Sequence, residues 1–405
     1  MNFQGRGDLM AGLITRMLTE PDKRLLWKFV YNFGWKGMRS VDRFQKRLKK
    51  GEFFPAFLFI SVTNNCNLSC RGCWSTVTKP PREIGVETLR RIIDECRKQG
   101  SYFFGILGGE PLLYKGLFDL IGQYPDCYFL LFTNGMLMTD AVAARMRELG
   151  NVSPLISVEG LGEVSDERRG GKRVYEKTME GIELCRRYRL IFGVATSVCK
   201  TNMKDLACEE YVNELISRGV HYVWYYIYRP VGPDPAPELA LSTDEITELR
   251  RFMVDIRTKA PIVVVDAYWD HMGRALCPAA VGIANHVGPG GDIEPCPPIQ
   301  FSFDNVGNGD NLYSKINQSN FLKSFRTFVS KTTRGCILME DPGKLKAFMK
   351  KEQARDSSGR ASVFDELSHM VPSCSHDMAG HEIPERSWAY RFAKKHWFFG
   401  FGAYG

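Results

Sequence analysis

Six times in succession, from residue 57 to residue 258, an apolar run gives way to a stretch with helical periodicity. The runs are Phe57 to Val62, Tyr102 to Leu107, Tyr128 to Phe132, Leu155 to Val158, Phe192 to Val198 and His221 to Tyr228. Helices are expected near Val86 to Gln99, Leu117, Asp140 to Leu149, Val174 to Arg187, Leu206 to Arg218 and Ser242 to Thr258. Such alternation makes an α/β fold with a parallel sheet and helices outside it. Six units are too few for the closed eight-stranded barrel. Ile262 to Val265 is one further short apolar run. In parallel folds of this kind side chains converge at the strand C-termini, so the loops that leave these strands are where chemistry is expected.

The first of those loops reads Cys66-Asn67-Leu68-Ser69-Cys70-Arg71-Gly72-Cys73-Trp74. Thiolates are the usual ligands of iron–sulfur clusters. Three of them on a four-iron cubane leave one iron open to a small molecule. Zinc is the alternative, but it wants a fourth ligand and usually paired cysteines. The second strand ends in Gly108-Gly109-Glu110-Pro111. Glycines let backbone approach a ligand, and a carboxylate beside them can hold an ammonium.

Together the two stretches resemble the signature of radical S-adenosylmethionine (radical SAM) enzymes. The resemblance implies an open, partial (β/α)6 TIM-like barrel. It implies a [4Fe–4S] cluster on Cys66, Cys70 and Cys73, whose open iron chelates SAM and whose electron cleaves it to a 5′-deoxyadenosyl radical. Gly108, Gly109 and Glu110 match the motif that holds the SAM amino group. Thr133-Asn134-Gly135 ends the third strand, and Ser157 and Glu159 end the fourth, where relatives bind the ribose or carboxylate; many carry Asp where this chain has Glu159. Thr196 and Ser197 on the fifth strand are further candidate contacts. Thr133 and Thr196 read equally well as ordinary strand residues. Trp74 is expected against the adenine, as a shield for the cluster, or in the core.

A second cysteine set is Cys277, Cys296, Cys336 and Cys374. The stretch Gly291 to Cys296 lies in a glycine-rich hairpin and resembles the first half of a SPASM domain. The block that would build a further cluster is missing, so the count suits one auxiliary [4Fe–4S] cluster, as in the shortened twitch version. Cys374 has His376 and His381 close by, and a different metal arrangement there stays open. Cys96, Cys127, Cys185, Cys199 and Cys208 are expected as buried free thiols.

The substrate is expected above the barrel, facing the auxiliary segment. Tyr228, Arg229 and Asp266 are candidates to exchange the second proton or hydrogen atom; Arg229 and Asp266 equally suit a structural ion pair. The resemblance implies hydrogen abstraction from a peptide or protein. A lipid or other amphiphile at a membrane surface is the second substrate class, and a non-enzymatic iron–sulfur electron carrier or scaffold is the reading from another class. A flavodoxin or ferredoxin would supply electrons.

Charge sharpens the view of the ends. The net charge is +8, yet residues 23 to 50 hold ten Lys/Arg against Asp42 alone, so the rest of the chain sums to about −1. No nucleic-acid partner is expected from a body that is nearly neutral. The basic, aromatic arm either packs on its own domain or meets an anionic membrane. The tail, Trp388 to Gly405, has eight aromatics and either docks across the barrel mouth or joins the arm at a membrane. Twelve cysteines, with no apolar leader and no 18-residue apolar run, point to a reducing, cytoplasmic setting, with peripheral membrane contact open. The expected division is an arm (1–52), the partial barrel (53–265), a small auxiliary-cluster domain (266–345) and a C-terminal extension (346–405).

Overall fold

A computed structural model describes residues 6–307 and 311–397. Seven strands run parallel in chain order: β1 (Leu58–Ser61), β2 (Phe103–Leu107), β3 (Tyr128–Thr133), β4 (Val152–Ser157), β5 (Gly193–Val198), β6 (Tyr222–Ile227) and β7 (Val263–Val265). The sheet curls. Phe57 before β1, Leu130 on β3, Trp224 on β6 and Val265 on β7 share one inner core. Alternate residues such as Phe104, Phe129, Ile156 and Val223 face outward into the larger core under the helices. Strand β4 begins at Val152, earlier than expected, because Pro154 is accommodated inside it beside Leu131.

The edge left open at β1 is occupied by the C-terminal third. Here β8 (His286–Val287) pairs parallel with β1, and β9 (Ile293–Glu294) turns back on it. Ser61 Oγ lies 2.8 Å from His286 Nε2, whose Nδ1 lies 2.6 Å from Glu294 Oε2, all buried. Beyond the hairpin the chain turns helical, with helices at Asn320–Thr332 and Pro342–Lys351. The polar stretch at 350–362 is packed rather than loose. Arg355–Asp356 pairs with Phe301–Ser302, and Arg360 reaches Gln300, Glu366 and the Trp74 carbonyl. Its polar side chains satisfy one another, which removes the need for water.

The basic arm closes the opposite end of the barrel. Phe33 sits 4.8 Å from Phe103 and 5.8 Å from Tyr128, the first residues of β2 and β3. Its cations cap carbonyls where barrel helices end. Arg24 donates to Glu148 O, Lys28 to Leu149 O, Lys36 to Asp126 O and Arg47 to Gln99 O. Positive groups are favoured at helix C-termini, which accounts for much of the arm's basicity.

The described part of the tail, Trp388–Trp397, does not cover the barrel mouth. Its helix, Trp388–His396, lies beside the arm, with Trp397 packed 5.1 Å from Phe33. Residues 398–405 of the tail lie outside the described residues. Lys394 inserts into a wholly buried network with Asp266 and Glu385, which also take Arg250 and Arg257. Asp266 is therefore a structural residue: its partners are Arg257 (2.5 Å), Lys394 (3.0 Å) and Arg250 (3.4 Å), not Arg229. Burial pushes its carboxyl up, but Lys394, Arg257 and Arg250 outweigh that and hold it below the ordinary carboxylate range.

Replacing Asp266 with Ala leaves three buried cations sharing the single carboxylate of Glu385 and should lower the unfolding free energy by about 3–5 kcal/mol, read by urea denaturation. The Glu385 carboxyl is likewise held low, burial being outweighed by Arg257, Lys394 and Arg250. A depressed native pKa means that the unfolded chain binds protons first. The network's contribution is thus present above the ordinary carboxylate range and lost as pH falls below about 4. Stability that stays flat from pH 6 to pH 3 would contradict this.

Candidate active site

A cavity of about 390 Å³ opens at the C-terminal ends of the strands. Cys66, Cys70 and Cys73 line one part of it, and Cys277, Cys296 and Cys336 another. Both sets sit on irregular backbone. Cys66 to Cys73 follow β1, Cys277 follows the bridge between Trp269 and Ala275, Cys296 follows β9, and Cys336 caps the short helix Ile337–Glu340. Among the described residues no three His, Cys, Asp or Glu side chains close on a single metal ion. The thiols instead face a shared volume.

The cysteine loop is held by its neighbours. Gly109 N donates to Thr63 O (2.8 Å) and Glu110 N to Asn65 O (2.7 Å). A Cβ on Gly108 would stand 2.5 Å from Thr63 O, and one on Gly109 2.3 Å from Asn65 O. The two glycines are thus required by backbone packing, and they border the cavity as well. Gly72 has φ +70°, and a Cβ there would overlap the Tyr228 hydroxyl at 2.0 Å. Tyr228 buttresses the loop. Its OH donates to Pro235 O (2.6 Å), and the Arg168 guanidinium lies 4.3 Å over its ring. Burial pushes that phenol up to about 12.

The structure does not bring the Glu110 carboxylate to the cavity. It is fully buried and accepts from Leu112 N (3.1 Å), Thr133 Oγ1 (2.8 Å) and Asn134 N (2.7 Å). Three donors of its own chain hold it, so it ties the β2 loop to the β3 loop. Burial nonetheless leaves its pKa raised. Thr196 is also turned away. Ala195 and Ser197 face the cavity, and strand alternation sends Thr196 to the other side, near Tyr211. Asn134 borders the cavity and donates to Asn67 Oδ1 (2.8 Å). Ser157, Ser197, Glu159 and Trp74 line the cavity, Glu159 accepting from Ser197 N (3.0 Å) and Trp74 standing edge-on to His286.

Two buried arginines were not anticipated. Arg168 and Arg169 line the cavity and approach Glu159 at 4.0 and 3.7 Å. Arginine is rarely buried, and nothing in the local sequence marks the pair beyond its place after the fourth strand. Burial pushes the thiols of Cys66 and Cys73 up, Cys73 to about 12. Arg169 pulls the other way on both and retains its own charge through Cys70 and Glu159 despite burial. Arg229 plays the matching part across the cavity. Its guanidinium lies 5.4 Å over Tyr268, beside the Cys336 and Cys296 thiols, and its Nε has no partner among the described residues.

Cys374 stands apart from this arrangement. It is exposed, 3.0 Å from Thr243 Oγ1, and does not border the cavity. His376, two residues on, does border it, with Nε2 2.9 Å from Leu276 O, and burial pushes its pKa down to about 4.

The fold and the cavity define a partial parallel barrel built round a thiol-lined chamber. Residues 60–224 match the family described as the Radical SAM superfamily. The matched segment carries Cys66, Cys70 and Cys73 and the Gly108-Gly109-Glu110 stretch, and it is similar to that superfamily. The chain is 30% identical over 183 residues to an AdoMet-dependent heme synthase of Methanosarcina barkeri, covering 44% of this chain and 52% of that one. It is 27% identical over 158 residues to the sporulation killing factor maturation protein SkfB of Bacillus subtilis, 38% of each chain. It therefore spans about half the length of the first relative, and less of the second. In fold it is similar to SuiB of Streptococcus suis bound to its precursor peptide SuiA, with TM-score 0.59, 17% identity and 70% of each chain covered. It is also similar to anSMEcpe with bound AdoMet, with TM-score 0.53, 15% identity, and 66% and 82% covered.

Three substitutions test the geometry. Glu110→Gln should lower the unfolding free energy by about 1–3 kcal/mol, since one buried donor loses its acceptor. Loss of SAM affinity at unchanged stability would instead put the carboxylate on the ligand. Cys374→Ala should leave the iron content of anaerobically reconstituted protein unchanged, whereas Cys336→Ala should lower it; the reverse pattern would overturn the placement of Cys374.

Proposed function

We propose that the protein cleaves SAM reductively and abstracts a hydrogen atom from a peptide or protein held in the cavity. One observation carries the reading: two separate cysteine sets line a single chamber. The residues suit the groups that the superfamily uses. Cys66, Cys70 and Cys73 would hold a [4Fe–4S] cluster with one iron left for SAM, and Cys277, Cys296 and Cys336 an auxiliary cluster. Buried thiols whose pKa values are pushed up need a metal or a cation to stay ionised, and Arg169 and Arg229 stand where that charge is wanted. When bound, the reduced cluster would supply the electron that turns SAM into a hydrogen-abstracting radical.

The chain's own groups do the remaining work. The Gly108–Gly109 backbone offers the close approach that a SAM amino group needs. Ser157, Ser197 and Glu159 present polar groups for the ribose or carboxylate, with Arg168 and Arg169 behind them. Phe59, Phe132, Trp224 and Tyr226 form an apolar floor that excludes water from a radical. Tyr228 positions the cysteine loop. Arg229 lies between the auxiliary cysteines and the open chamber, where it can orient substrate or cluster.

A peptide is favoured because relatives include SkfB and a mycofactocin maturase of Mycolicibacterium smegmatis, and because SuiB is seen with its precursor peptide. The amphiphile reading rests on the basic arm and the aromatic tail, and the arm and the tail's described helix lie at the far end from the cavity. A flavodoxin or ferredoxin is the expected reductant. Anaerobic protein reconstituted with iron and sulfide, then given dithionite and SAM, should release 5′-deoxyadenosine. Intact clusters with no release would overturn the proposal.

A further inference from the structure

We propose that the end of the barrel remote from the cysteine loop is a membrane-docking face, which seats the protein on an anionic lipid surface. Thirteen large hydrophobic side chains are exposed among the described residues, and eight lie on the N-terminal arm or the helix Trp388–His396. Scattered single exposures are ordinary, but a cluster on one end is not.

The arm is built to present them. Its middle, Phe29–Trp35, is a π-helix between two α-helical pieces. With i→i+5 turns, residues four apart stay near one side. Phe29 and Phe33 therefore both point inward, onto Tyr128 and Phe103. Trp27, Tyr31 and Trp35 hold the same spacing outward, at 66%, 46% and 53% exposure. Trp388 and Phe392 join them, since Trp397 at the end of their helix packs on Phe33. Ile14 and Leu18 lie on the first helix, which Arg16 fastens to Pro261 O and Val220 O, in the turns that enter β7 and β6 at this same end.

Charge selects the occupant. Lys23, Arg39, Arg391 and Lys395 are exposed on these elements. Exposed tryptophan and tyrosine ringed by cations suit the headgroup layer of an anionic bilayer. A second copy meeting this face symmetrically would set like charge against like charge. None of the helices among the described residues is long and apolar enough to cross a membrane, so the contact is a seating on the surface. The cavity mouth then points to the aqueous side.

The test is co-sedimentation of the reconstituted full chain with phosphatidylcholine vesicles, with and without phosphatidylglycerol. Wild type should bind only when phosphatidylglycerol is present and should release in high salt. The combined variant Trp27→Ser, Trp35→Ser, Trp388→Ser should partition at least ~10-fold more weakly, and Trp→Phe at the same positions should recover most of the binding. Iron content and 5′-deoxyadenosine release from soluble assays should be unchanged in both, which excludes misfolding. Absence of wild-type binding to anionic vesicles, or equal binding by the Ser variant, would overturn the proposal. So would a wild-type dimer that the Ser variant converts to a monomer without any vesicle binding.

Discussion

The parallel pairing of His286–Val287 with β1 is the contact on which the site depends. It joins a late hairpin to the first strand of the barrel, in register Phe59 to His286 and Ile60 to Val287. Two backbone pairs are a small seam. It is reinforced by the buried chain from Ser61 through His286 to Glu294, in which each polar group has a partner. Cys277 and Cys296 flank this hairpin, and Cys66 follows β1 directly. The seam therefore sets the two cysteine sets on one chamber. It also covers the open edge that an incomplete barrel would otherwise leave exposed.

Electrostatics inside the chamber follow from that placement. Thiols brought out of water resist ionisation, and the cavity is lined mostly by apolar and aromatic groups. Arg71, Arg168, Arg169 and Arg229 bring four cations to its wall, opposed there by the carboxylate of Glu159. A chamber of that balance is prepared for bound anions: thiolates, clusters and the carboxylate of a ligand. The other buried charge cluster, around Asp266, is closed on itself and serves to fasten the C-terminal segment to the last βα unit.

Much of this was legible in the sequence. Alternating apolar runs located six strands, and the cysteine spacing located the site, because both depend on local pattern. What the pattern hides is direction. Glu110 and Thr196 stand in the right loops and strands, yet one is buried and held by Thr133, Asn134 and Leu112 and the other faces outward on its strand. Asp266 follows a strand like a catalytic residue, but its partners Arg250, Arg257 and Lys394 are spread over 145 positions, so no local signal reveals them. The same holds for the described part of the tail: its aromatics suggested docking across the barrel mouth, whereas its helix lies beside the arm at the other end. Cys374 had the right chemistry and the wrong neighbourhood, and its exposure beside Thr243 is visible only in three dimensions.

The central claim is that two thiolate-held clusters share one chamber. Iron analysis with Mössbauer spectroscopy of anaerobically reconstituted protein tests it most directly. The account predicts about eight irons per chain, and about four after Cys66, Cys70 and Cys73 are replaced by Ala or after Cys277, Cys296 and Cys336 are replaced. About four irons in the wild type, or no loss from one of the two triple variants, would contradict it.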